Sequence, residues 1–206
     1  MKLYKTPSLV QKAVSGIVWK IPTQKPELYL TFDDGPTPEV TPWVLDLLKK
    51  YNAKATFFCL GKNIEKHPEI SARIKEEGHA IGNHSFDHPK GKDTANEKYF
   101  DNIEKANQLT QSKLFRPPYG SLKISQYRKL KQEYIIILWD LLSYDFEPEL
   151  DIEESIHKMK SKVENGSILV FHDSKKAFPQ LKIILPRLLE DWHKAYTFAA
   201  INETQL

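Results

Sequence analysis

The sequence predicts one α/β domain wrapped around a parallel sheet, and three observations carry that expectation. Short apolar, β-prone runs alternate with stretches of helical periodicity along almost the whole chain, and the connections between them are short. One run, Tyr134-Ile-Ile-Ile-Leu-Trp-Asp140, lacks the alternation of a half-exposed strand and suits a strand covered on both faces. Consecutive parallel strands need a crossover, which the intervening helices supply. At 206 residues, 40% hydrophobic and 28% charged, the chain fits a single globular domain, 1–206, with 1–26 as an amino-terminal helical extension.

In order, residues 7–20 place Val10, Val14 and Val18 four apart, which predicts an amphipathic helix packed on the body. Residues 28–33 alternate Leu28, Leu30 and Phe32 with other β-prone residues, and Gly35-Pro36 ends that strand in a turn. Helix is expected over 38–51, strand over 54–60, and helix over 62–77 with Gly78 as its stop. A short strand at 79–84 precedes a helix over 95–112, and residues 114–120 run extended into Pro117-Pro118. Then come a helix over 125–132, the apolar strand 134–140, a helix over 151–164 and a strand over 167–172. A helix over 180–194, which Pro186 should kink or restart, and a last strand over 197–201 complete the series.

Seven such strands fit an open sheet or a barrel. The unusual polar residues decide for the barrel, because they follow different strands: Asp33 and Asp34 the first, His84 the third, Arg116 the fourth, Asp145 the fifth and His172 the sixth. In a barrel those ends meet at one mouth. The chain is shorter than the roughly 250 residues of a typical eight-stranded (β/α) barrel, so a distorted, seven-stranded, TIM-like barrel is expected.

Composition removes several function classes. The net charge is +3 and the lysines are scattered, which argues against nucleic-acid binding. No apolar run approaches a membrane span, and no signal-peptide pattern begins the chain, so a cytoplasmic location is the expectation. The single Cys59 sits in an apolar strand and reads as a buried hydrophobe. No protein partner is implied.

Two clusters carry chemistry. Asp33 and Asp34 stand at a strand end, where pleat alternation points adjacent carboxylates in different directions, so one can hold a metal and the other a proton. His84 and His88 lie four apart and can face one point from a single turn, and with Asp34 they make two nitrogens and one oxygen. Three protein ligands with positions left open suit a catalytic metal site.

Thr31-Phe-Asp-Asp-Gly-Pro-Thr37, His84-Ser-Phe-Asp-His88, Arg116-Pro-Pro-Tyr-Gly120 and Leu169-Val-Phe-His172 together resemble the ordered motifs of polysaccharide deacetylases of the NodB-homology type, carbohydrate esterase family four. The resemblance implies a metal-dependent hydrolase on a distorted barrel that removes N-acetyl groups from amino-sugar polysaccharides or oligosaccharides, of chitooligosaccharide or peptidoglycan type. It implies Asp33 as general base and His172 as general acid. Asp34, His84 and His88 would hold a divalent ion, usually zinc, with cobalt, nickel or manganese as alternatives. Arg116 would hold Asp33, and the backbone amide of Tyr119 would face the oxyanion. Where the family usually reads Asp-x-x-Asp-Trp, this chain has Leu142-Ser-Tyr-Asp145-Phe146. Asp145 would support His172, and Phe146 would keep an apolar wall. Two other readings stand beside this one: a deformylase or deacetylase of a lipid-linked or small nitrogenous metabolite, and a non-catalytic carbohydrate-binding relative. Short connections predict a shallow, open groove.

Overall fold

The strand that ends in the paired aspartates lies inside the sheet, with a parallel partner on either side. In a computed structural model describing residues 2–206, β2 (Glu27–Asp33) lies between β3 (Ala55–Cys59) and β8 (Ile168–His172). Registers Asp33↔Phe58 and Asp33↔His172 set the base candidate beside the acid candidate at the same carboxyl-terminal edge. Phe32 stacks on Phe57 at 5.0 Å and on Phe171 at 5.8 Å, so β2, β3 and β8 share one aromatic layer beneath that edge. Burying a side chain of this size contributes about 1.5–3 kcal/mol.

From β3 the sheet continues through β4 (Ala80–Asn83), β5 (Leu114–Phe115) and β6 (Ile135–Ile137) to β1 (Ile17–Val18). Beyond β8 comes β7 (Leu141–Leu142), and β9 (Thr197–Phe198) pairs with the start of β2. Every strand pairing is parallel. The sheet curls into the distorted barrel the sequence predicts, although nine strands, not seven, are found among the described residues. Its ends meet through one bent stretch: Leu138 N donates to Val18 O, and two residues on Asp140 N donates to Ile168 O. Of the expected strand over 134–140 only Ile135–Ile137 is strand, and β7 begins just beyond it on the other side of the sheet.

The helices are α1 (Ser8–Ala13), α2 (Val40–Lys50), α3 (Gly61–Lys66), α4 (Pro68–Glu76), α5 (Asn96–Thr110), α6 (Ile124–Glu133), α7 (Ile152–Lys162) and α8 (Phe178–Trp192). Two depart from expectation. The packed helix over 7–20 is a single exposed stretch, α1, that buries no residue; Gly16 turns the chain at φ 85°, and β-branched Ile17 and Val18 then join the sheet. The helix over 62–77 divides at His67, because Pro68 starts a new helix at its first position. Pro186 lies within α8 without ending it, since Leu181, Ile184, Leu185, Leu188 and Leu189 are all buried along that helix. Among the described residues no helix is long and apolar enough to cross a membrane.

Candidate active site

A cleft of about 440 Å³ opens at the carboxyl-terminal edge of the strands, and Asp33, Asp34, His84, His88, Tyr119, Trp139, Leu142, Phe146 and His172 all line it. The residues singled out from sequence thus converge, with Arg116 and Asp145 buried behind the cleft surface.

Asp33 is 4% exposed and receives a hydrogen bond from Arg116 Nη1 at 2.6 Å. Burial works against its charge, but the guanidinium and the nearby His84 and His172 hold the carboxyl below the usual carboxylate range. Arg116 is fully buried. The same Nη1 donates to Thr31 Oγ1 at 2.7 Å, Nη2 to Leu138 O at 3.1 Å and Nε to Ile137 O at 3.3 Å, while the guanidinium lies 4.1 Å from the Phe58 ring centroid. A single N–H reaches the carboxylate where a guanidinium can offer a bidentate fork, and Thr31 Oγ1 with the buried backbone carbonyls of Ile137 and Leu138 takes three of the other donors. Donors fixed in one plane are costly to leave unpaired at zero exposure, so the backbone takes part of what the carboxylate does not.

Asp34, His84 and His88 offer ligand atoms that all lie within 4.8 Å of one another. Asp34 Oδ1 is 3.3 Å from His88 Nε2 and 3.7 Å from His84 Nε2. His84 Nδ1 donates to Arg116 O at 2.7 Å, which fixes the tautomer and leaves the Nε2 lone pair for a cation. Burial and the neighbouring His84 bring His88 down to about 4, so its imidazole is neutral at physiological pH. Two imidazoles and one carboxylate that together line the cleft fit a divalent ion of the zinc type. Neither pair arises as the spacing suggested. Asp34 takes φ 80°, so a left-handed residue rather than pleat alternation separates it from Asp33. His84 and His88 are joined by a loop with Ser85 at φ 67° and His88 at φ 66°, not by a helical turn.

His172 stands across the cleft. Its Nδ1 donates to Asp145 Oδ1 at 2.8 Å, and its backbone N donates to Asp145 Oδ2 at 2.8 Å. Burial disfavours the imidazolium, yet the Asp145 carboxylate outweighs burial and lifts His172 to about 9. Nε2 is left facing the cleft with a proton to give. Phe146 packs edge-on against this ring at 4.9 Å, and Leu142 lines the same wall. Tyr119 is 65% exposed on the opposite rim, packed edge-on against His88 at 4.6 Å. Tyr144 bonds through its hydroxyl to the backbone of Leu3. His79 is a core residue whose Nδ1 accepts from Ala55 N.

Sequence reasoning missed Asp173, Asn63 and Thr31. Asp173 is fully buried under the Asp34-Gly35 turn, and burial pushes its carboxyl up to about 7 despite a hydrogen bond from Thr41. The one available signal was the His172-Asp173 dipeptide, whose acid follows the catalytic candidate directly.

A buried carboxylate, a three-ligand cluster and a protonated imidazole across one cleft are the parts of a cation-assisted hydrolase. The polysaccharide deacetylase family model matches residues 20–134, more than half the chain, and the protein belongs to that family, of the NodB-homology type. It is 30% identical over 198 residues to a peptidoglycan-N-acetylglucosamine deacetylase of Bacillus cereus, covering 91% of this chain and 92% of that protein. It is 34% identical to a chitooligosaccharide deacetylase of Azorhizobium caulinodans, covering 78% and 80% of the two chains. The crystal structure of the Bc1960 peptidoglycan N-acetylglucosamine deacetylase, in complex with 4-naphthalen-1-yl-N-oxidanyl-benzamide, superposes with a TM-score of 0.78 at 33% identity over 95% of each chain.

Proposed function

We propose that this polysaccharide deacetylase hydrolyses the acetamide of N-acetylated amino sugars in peptidoglycan or chitooligosaccharide, with Zn²⁺ held by Asp34, His84 and His88. The observation that carries the reading is the placement of Asp33 and His172 on adjacent strands, in register, beside that ligand cluster and each with its own buried partner. When bound, the ion polarises the amide carbonyl and acidifies water at the site.

The chain's residues then divide the proton work. Asp33, kept ionised by Arg116, accepts a proton from the attacking water. His172 Nε2 donates a proton to the departing amine as the carbon–nitrogen bond breaks, leaving acetate and a free amino sugar. Asp145 holds Nδ1–H, so the ring keeps one tautomer and stays charged until it acts. The backbone amide of Tyr119 would face the developing oxyanion, and Phe146, Leu142 and Trp139 would give the sugar and acetyl group an apolar wall.

Acetate and formate release should be measured from chitooligosaccharides, peptidoglycan fragments and small acylated amines, with Zn²⁺ added back to chelator-treated protein. Acetate from the saccharides is expected. Formate or acetate from the small amines alone would replace this reading with that of a small-metabolite deacylase.

A further inference from the structure

Asp34 must do two things at once: offer an oxygen to a cation and occupy a left-handed backbone conformation, φ 80°, that a residue bearing a Cβ rarely adopts. Such a conformation persists only where its surroundings hold it, and two side chains outside the recognised motifs do so. Asn63 Nδ2, from α3, donates to Asp34 O at 2.7 Å. Asp173 Oδ1, following β8, accepts from Gly35 N at 3.0 Å. The one peptide group that joins Asp34 to Gly35 is therefore held at its carbonyl from the β3 side and at its N–H from the β8 side.

The Asp173 grip is itself fixed. Thr41 Oγ1 accepts the Thr37 N–H at 2.7 Å, and so directs its own proton to Asp173 Oδ2 at 2.5 Å. Asp173 N donates back to Asp33 O at 3.1 Å. A Cβ on Gly35 would fall 2.0 Å from Asp173 Oδ2, so carboxylate and turn meet at a distance only glycine permits.

We infer that Asp173 and Asn63 are positioning residues that hold the Asp34 turn in its ligating conformation and thereby set the affinity of the site for its divalent ion. The inference rests on Asp34, His84 and His88 being the ligands. Residues that orient metal ligands commonly change affinity by about 10- to 100-fold when removed.

The test is Zn²⁺ affinity of metal-stripped protein, measured by competition with a chromophoric chelator, alongside the thermal unfolding of each metal-free variant. Asn63→Ala and Asp173→Ala should weaken binding about 10- to 100-fold. Asp173→Asn, whose amide oxygen can still accept from Gly35 N, should lose less than Asp173→Ala. Metal-free Asn63→Ala should unfold cooperatively at the wild-type temperature, which separates ligand positioning from general support of the fold. Asn63→Ala and Asp173→Asn both binding Zn²⁺ within twofold of wild type would overturn the inference, as would affinity losses seen only in variants that no longer unfold cooperatively. Asp34→Ala is the control: if it too binds Zn²⁺ normally, the ligand assignment itself fails, whereas a loss there with none in the other variants rejects the positioning role alone.

Discussion

The two sides of the cleft each pair a buried aspartate with a cation, but the cations differ in kind. Asp33 faces a guanidinium that does not lose its proton, is fully buried and also bonds to Thr31 and the main chain of residues 137 and 138. Asp145 faces an imidazole whose side chain is 14% exposed and whose free nitrogen reaches the cleft. In one pair the partner's charge is permanent, so the aspartate is kept ready to receive a proton. In the other the aspartate is the fixed element and its partner gives the proton away. In the proposed reaction the same device, a carboxylate beside a cation, would make a base on one side and an acid on the other, according to which member meets the substrate.

The largest effect should come from removing the base. Asp33→Asn keeps the side chain's shape but should lower turnover by about 10² to 10⁴ while Zn²⁺ stays bound. Asp34→Ala should lose the metal and activity together. Metal analysis beside acetate-release rates checks both, and an Asp33→Asn protein with near-full turnover would remove the distinction between the two aspartates.

Next in size is Arg116→Met, which strands a buried carboxylate and should cost about 3–5 kcal/mol of stability. Chemical denaturation measures this. A loss of activity without a loss of stability would mean that the guanidinium serves only the reaction and not the interior it fills.

The acid side should respond to pH instead. His172 is lifted to about 9, so it remains protonated through neutrality, and the acid step is lost as pH rises through that value. The raised pKa also means the pair's stabilisation is fully present below an ordinary imidazole value of about 6.5 and is lost as pH rises through the folded-state value. Asp145→Asn should move the alkaline limb of kcat downward, and His172→Ala on that background should cost less than on wild type, because the two act as one unit. Fully additive losses with an unmoved alkaline limb would uncouple them.

The smallest effect belongs to the wall. Leu142→Asp with Phe146→Trp should change KM by roughly tenfold or less, with kcat little altered, because an apolar surface is reshaped while both protonic pairs remain. A collapse of kcat would place that wall in the acid's support. Steady-state kinetics on one chitooligosaccharide decides between these.

Asp33, Asp34, His84, His88 and His172 and their positions at or just beyond strand ends were legible because each sits in a short motif of uncommon residue types. Their mutual approach was legible too, since a parallel barrel gathers strand ends whatever the details of its closure. What escaped were supports set by tertiary proximity: Asp173 and Gly35 are 138 residues apart in the chain, and nothing local announces their hydrogen bond. Arg116 was recognisable as the partner of Asp33, but its other contacts depend on where a bent strand leaves its carbonyls. The valine spacing of residues 7–20 misled for a different reason. Periodicity reports a helix only where a surface waits to cover it, and Leu9 and Val10 of α1 are 80% and 45% exposed.

The burial of Arg116 also bears on how such an enzyme could decay. Its guanidinium fills the interior between Phe58 and the bent strand, so the side chain that tunes the base also belongs to the core. Asp34 and His88 lie partly open to solvent. A lineage released from selection for turnover could exchange those ligands at little cost to folding, but not the Asp33–Arg116 pair one member at a time, because each single loss leaves the other charge buried alone. Silent descendants of this fold would be expected to carry that pair as a relic, long after the cation it served had gone.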